Sequence, residues 1–88
     1  MKKRSKIEIV FEILTLLKNS KQRKTYIVYG ARLNFTRAEH ILNILKKHGL
    51  ITYNGNEYAL TEKGEKVLSA IENLNAVLPP ELRIKGPP

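Results

Sequence analysis

Between residues 36 and 47 the polar side chains Thr36, Arg37, Glu39, His40, Asn43, Lys46 and Lys47 are interleaved with Ala38, Ile41, Leu42 and Leu45. The apolar members keep helical spacing, so a helix over 35–47 turns them toward a core and leaves the polar set on its outer face. That face carries donors and acceptors suited to reading base edges. Arg37 can fork to guanine O6 and N7, Asn43 can pair with an adenine edge, and Thr36 and His40 can reach bases or phosphates, with Lys47 on the same surface. Glu39 either accepts from cytosine N4 or pairs with a nearby lysine. For the whole set the plain alternative is a solvated helix face.

Cations gather ahead of this helix. Lys2, Lys3, Arg4 and Lys6 precede or open a first helix, and Lys21, Arg23 and Lys24 precede a second. Both groups can sit beside phosphates, although residues 2–4 read equally as a flexible basic arm. Thr25 and the N–H groups behind it add a helix N-terminus as a further phosphate site. Tyr26 and Tyr29 either reach phosphate or pack at the domain edge. Residues 1–47 hold 12 of the 16 Lys and Arg against Glu8, Glu12 and Glu39, a net +9, whereas residues 48–88 hold 4 against 5 Glu, a net −1. Such asymmetry suits a polyanionic partner, nucleic acid or anionic lipid, met by the N-terminal half.

Catalytic chemistry is poorly provided for. The chain has no Asp, no Cys and only two His, His40 and His48, whose spacing is not a metal motif. No Gly-rich phosphate loop is present, so neither an enzyme nor a cofactor is expected. His48, just before Gly49, reads as a helix C-terminal residue that favours the local dipole. Glu8 and Glu12 interrupt the apolar stretch after the basic start, which argues against a secretory signal, and no run approaches the ~20 apolar residues of a bilayer crossing. A cytoplasmic protein is expected.

The elements that must position these side chains follow in order. Ser5-Lys6-Ile7-Glu8 is a capping box opening a helix to about Lys18, with Ile7, Val10, Phe11, Leu14 and Leu17 on one stripe, Ile9, Ile13 and Leu16 widening it, and Glu8, Glu12 and Thr15 as a narrow polar strip. Residues 19–24 read as a solvated loop. Thr25 caps a short helix with Ile27, Val28 and Ala31, Leu33-Asn34 forms the turn, and Asn34, itself among the expected DNA contacts, caps the helix that Gly49 stops. Asn54-Gly55 between two short apolar segments signals a hairpin with a two-residue type I′ turn. No Lys or Arg lies between Lys47 and Lys63, so this hairpin is expected to touch DNA weakly, Asn54 and Asn56 serving either minor-groove contact or turn geometry. Thr61 caps a last helix on which Val67, Ile71, Leu74 and Leu78 recur until Pro79-Pro80. One domain, residues 1–78, and a Pro-rich tail, 79–88, are expected. The wide apolar surface formed by Ile9, Ile13, Leu16, Val67, Ile71, Leu74 and Leu78 reads as a homodimer interface, or as packing of the last helix on the first.

Helix, short helix, tight turn, helix, hairpin and helix in this order make a winged helix-turn-helix, α+β and mostly α, with a two-stranded wing. Three segments carry a resemblance to the small archaeal winged-helix DNA-binding proteins, which include dimeric chromatin-associated proteins and ArnR-like transcription regulators. They are Lys24-Thr25-Tyr26-Ile27-Val28-Tyr29-Gly30-Ala31-Arg32-Leu33-Asn34-Phe35, then Lys47-His48-Gly49-Leu50-Ile51, and Leu60-Thr61-Glu62-Lys63-Gly64, within residues 4 to about 75. Gly30 and Arg32 stand where the family pattern has a basic residue and an Asn. The resemblance implies double-stranded DNA binding through a helix in the major groove, as a transcription regulator or chromatin-associated protein. The competing reading is a protein-interaction module docking on a larger nucleic-acid machine.

Overall fold

Ser5 and Glu8 close the box expected of them. The Ser5 hydroxyl accepts from the Glu8 amide at 3.2 Å, and the Ser5 amide donates to the Glu8 carboxylate at 2.8 Å, satisfying two orphan donors. The second bond is the main reason the Glu8 carboxyl is held below its ordinary range. In the computed structural model, which describes residues 4–86, helix α1 then runs Lys6–Leu16. It is followed by α2 (Lys24–Gly30), α3 (Phe35–Lys47), β1 (Ile51–Tyr53), β2 (Tyr58–Leu60), α4 (Glu62–Val77) and a single 3-10 turn, Pro80–Leu82. This is the winged helix-turn-helix order, mostly helical, with a two-stranded antiparallel wing. No helix among the described residues is long and apolar enough to cross a membrane.

Helix α1 is the spine of the core. Ile9, Ile13, Leu14 and Leu17 are buried against Ile27 and Ala31, against Ile41, Leu42 and Leu45 of α3, against Ile51 and Tyr58 of the wing, and against Leu68 of α4. Each such Ile or Leu contributes about 1.5–3 kcal/mol on leaving water. This corrects most of the expected dimer interface. Ile9, Ile13 and Ile71 are 2%, 0% and 6% exposed, because α4 lies over α1 within one chain and no apolar area is left on them for a partner. Leu16 and Val67 are half-buried against the same core, Leu16 resting on Gly30. The inward stripe of α4 is Gly64, Leu68 and Ile71, which leaves Leu74 and Val77 exposed and Leu78 half-buried.

Matching caps frame the tight turn. At the end of α2 the Leu33 amide donates to the Val28 carbonyl (3.0 Å) and the Arg32 amide to Tyr29 (3.2 Å); at the end of α3 the Leu50 amide donates to Leu45 (2.9 Å) and the Gly49 amide to Lys46 (3.1 Å). Both are Schellman motifs, whose penultimate residue must be left-handed. Gly49 takes that conformation freely at φ +78°, but the first motif puts Arg32 there at φ +53°. For a residue with a Cβ this costs roughly 1–2 kcal/mol. Arg32 is held by Glu12, to which its guanidinium donates at 3.2 Å, while the other Glu12 oxygen pairs with Arg4. Arg4 also donates to the carbonyls of Ala31 and Arg32. Glu12, read from sequence as part of a narrow polar strip, is thus 2% exposed and shared by two arginines that seal the turn. The turn itself begins at Ala31, earlier than Leu33-Asn34, and Asn34 caps α3 by accepting from the Arg37 amide at 2.7 Å.

The wing differs from the expected hairpin. Tyr53 pairs with Tyr58, so residues 54–57 form a four-residue loop in which only Gly55 is left-handed (φ +94°). The Asn54 carboxamide oxygen accepts from the amides of Asn56 (2.9 Å) and Glu57 (2.8 Å), an Asx-type turn that takes the place of a type I′ pair. Residues 19–24 are also less free than a solvated loop, because Gln22 exchanges two backbone bonds with Tyr58, at 2.9 and 2.7 Å. At the base of the wing the Thr61 amide donates to the Leu50 carbonyl (3.1 Å), and the Thr61 hydroxyl accepts from the Gly64 amide (3.0 Å) and donates to the Gly49 carbonyl. Gly64 has to be glycine: a Cβ there would lie 2.0 Å from the Leu50 carbonyl oxygen.

After Pro79 the chain turns back instead of trailing away. The Asn75 side chain exchanges two 2.8 Å bonds with the backbone of Ile84, and Gly86 comes close enough to the Phe11 ring that a Cβ would meet it at 2.7 Å.

Two sets of variants test these contacts by urea unfolding. Gly64→Ala should cost at least about 2 kcal/mol through the Leu50 clash, despite alanine's helix preference of ~1 kcal/mol; an unchanged midpoint would mean that Leu50 moves aside. Arg4→Met leaves the Glu12 carboxylate buried with only an exposed partner and should cost about 3 kcal/mol. Arg32→Gly removes that exposed partner but also the left-handed strain, so its stability should stay within about 1 kcal/mol of wild type.

Candidate nucleic-acid interface

Helix α3 buries Ala38, Ile41, Leu42 and Leu45. Its remaining surface presents Thr36, Arg37, Glu39, His40, Asn43, Lys46 and Lys47, all exposed. Among the described residues no ion pair engages Arg37, His40 or Lys47, and Asn43 makes no side-chain hydrogen bond, so four donor-bearing side chains stand on one face of a capped helix. Glu39 is the exception. It pairs with Lys24 at 3.2 Å, and the Lys24 ammonium also stands 5.1 Å from the centre of the Phe35 ring, tying α2 to α3. Lys24 therefore meets the interface already neutralised, unlike the phosphate contact expected from sequence.

Other expected contacts separate in the same way. Lys21 and Arg23 are exposed on either side of Gln22, whose pairing with Tyr58 holds their backbone beside the wing. Lys6 is exposed on the first turn of α1. Tyr26 and Tyr29, 52% and 77% exposed, do not pack at the domain edge. Arg4 is withdrawn, since its guanidinium is committed to Glu12 and two carbonyls of the turn. Thr25 does not cap α2, which starts at Lys24 behind Arg23 without any side-chain cap. Asn34 and Asn54 already use their carboxamide oxygens, in the α3 cap and the wing loop, leaving only their amino groups to donate. Lys3 lies outside the described residues.

Sequence reasoning missed two features of this surface. Ile44 stands 41% exposed among the polar residues of α3, and its only sequence signal was an apolar residue off the buried stripe. Lys46 lies 5.8 Å from the Tyr53 ring, which stacks on Tyr58 at 4.5 Å, so the end of α3 leans on the wing through a cation over an aromatic pair. Burial raises the Tyr58 hydroxyl above the ordinary tyrosine range. No cluster of three His or Glu side chains among the described residues could hold a metal ion. The arrangement is that of a binding surface.

Comparison with known proteins agrees with this architecture. The profile of the winged helix-turn-helix family matches residues 3–78. The uncharacterized protein MJ0287 of Methanocaldococcus jannaschii is 36% identical over 76 residues, covering 86% of this chain and 78% of its own. MJ0290 of the same organism is 37% identical over 79 residues, and the chain spans only 37% of that protein's length. Among solved structures, Sso10a-2, a DNA-binding protein from Sulfolobus solfataricus, superposes with a TM-score of 0.70 at 33% identity, over 84% of this chain and 81% of that one. ZitR of Lactococcus lactis shares the fold, with a TM-score of 0.59 at 22% identity over 84% and 63% of the two chains. The chain thus has relatives among archaeal proteins, and it belongs to the winged helix-turn-helix family.

Proposed function

We propose that the protein binds double-stranded DNA with α3 in the major groove. The observation that carries this reading is the outer face of α3, where Arg37, His40, Asn43 and Lys47 project without internal partners from a helix fixed at both ends. Arg37 and Asn43 have the geometry for base edges; Lys6, Lys21, Arg23 and Lys47 supply phosphate contacts along the flanks. Its resemblance to Sso10a-2, which binds DNA, supports the same reading. The role follows as transcription regulation or chromatin association, and the two differ in how far affinity depends on base sequence.

We infer further that two copies act together. Leu74, Val77 and Leu82 are 45%, 79% and 66% exposed, an apolar end of the molecule formed by the last turns of α4 and the turn after it. Pairing these ends about a two-fold axis would present two α3 helices to successive major grooves and raise affinity through linkage.

Affinity for a duplex should fall with salt at a log-log slope near −0.9 for each phosphate neutralised. A flat salt response would remove the phosphate mechanism, and no duplex binding at low salt would favour a protein partner instead. Arg37→Ala should cost about 1–3 kcal/mol and relax preference at one base position, while Lys21→Ala should weaken all duplexes alike; an equal loss on every duplex would make Arg37 a backbone contact. For assembly, Leu74→Lys combined with Val77→Lys should leave the thermal transition in place and yield monomers by sedimentation. A wild-type monomer at tens of micromolar would sink the dimer.

A further inference from the structure

Helix α1 packs closely on α2 and α4, and α3 on α2 and β1, so the flank between α1 and α3 is left as a cleft of about 340 Å³. Its lining divides into two chemistries. Val10, Ile41, Ile44 and Leu45 are aliphatic, with Ile41 and Leu45 buried in the core and Ile44 on the exposed lip. Lys6, Arg37 and His40 complete the wall, all exposed, and none is engaged by a carboxylate among the described residues. No acidic side chain lines the cleft.

We propose that this cleft binds a small amphipathic organic anion, a carboxylate on an aliphatic or aromatic body, and that its occupant competes with DNA for Arg37. The volume falls in the range of ligand pockets. At about 30 Å³ for each water in the bulk liquid, it accommodates on the order of ten non-hydrogen atoms. An apolar body displaces water from the aliphatic wall, while the carboxylate meets the unpaired Lys6 and Arg37 donors, which can form charge-assisted bonds. A neutral apolar molecule would leave those cations unanswered, and an inorganic anion would leave the aliphatic wall wet. The cleft therefore selects for both properties together. Arg37 belongs to the cleft and to the proposed base-reading face, so occupancy and duplex binding oppose each other, and by linkage each weakens the other by the same factor. This coupling rests on the DNA-binding reading; the cleft does not.

Octanoate, with ten non-hydrogen atoms, is a suitable probe, with 1-octanol and octylammonium as neutral and cationic controls. Titrated into the ¹⁵N-labelled full chain without DNA, octanoate should shift the amides of Val10, Ile41, Ile44 and Leu45 saturably, with Kd below about 1 mM. Octanol should bind several-fold more weakly and octylammonium not at all. Ile44→Gln, on the exposed lip, should abolish the shifts without altering the fold, and Arg37→Gln should bring octanoate down to the level of octanol. Shifts scattered over all basic surfaces, equal binding of octanol, or full binding by Ile44→Gln would each overturn the site. Saturating octanoate should then raise the duplex Kd several-fold for wild type and not for Ile44→Gln. An unchanged duplex Kd with the cleft occupied would overturn the coupling. A protein that binds octanoate but no duplex would refute the DNA reading, and the coupling with it, while upholding the site.

Discussion

The contact between the Leu50 carbonyl and the first turn of α4 is the constraint on which the remaining arrangement depends. Leu50 closes the Schellman cap of α3 and leads into β1, and its oxygen receives the Thr61 amide while lying where a Gly64 side chain would begin. One peptide group therefore fixes three directions at once: the end of α3, the start of the wing and the start of α4. With α4 set, its Leu68 joins the core of α1, and α1 in turn supplies the floor beneath α2 and α3. The junction holds α3 at a defined roll about its axis at one end, with the Asn34 cap at the other.

Charge in the N-terminal half is sorted by what surrounds it. Arg4 and Arg32 serve the buried Glu12, Lys24 serves Glu39 and Lys18 pairs with Glu72 at 3.1 Å, whereas Lys6, Lys21, Arg23, Arg37, Lys46 and Lys47 remain exposed. The internal group neutralises two of the three acidic residues of the region, Glu12 and Glu39, and leaves the capping Glu8. What faces solvent is thus more uniformly positive than the sequence total suggests, and a diffuse field that steers polyanions follows from the sorting.

Local signals made the fold legible. The Ser5–Glu8 box, the Asn34 cap, Gly49 and the 38-41-42-45 stripe are interactions within one or two turns, and α3 has the bounds read from its sequence. Long-range events were not legible in the same way. Glu12 reads only as part of a polar strip because its partners are eight and twenty residues away, and an arginine in the left-handed turn position hides the turn's chemistry. Apolar width on α1 and α4 cannot distinguish packing within a chain from packing between chains, so the sequence leaves both readings of Ile9, Ile13 and Ile71 open until their burial within the chain is seen. The candidate surface was legible as a set of side chains on α3; the diversion of Arg4, Lys24 and Asn54 into internal bonds depends on the tertiary fold.

The returning C-terminal segment carries a consequence for how this unit can be joined to others. Lys85 comes beside Glu8, and Gly86 lies against Phe11, so the described chain starts and finishes at one edge, at the opening of α1. A domain whose ends meet can be spliced into a host loop, strung in tandem or permuted across its own termini with connectors of a few residues. Its insertion point and the exposed face of α3 can then be engineered as separate modules.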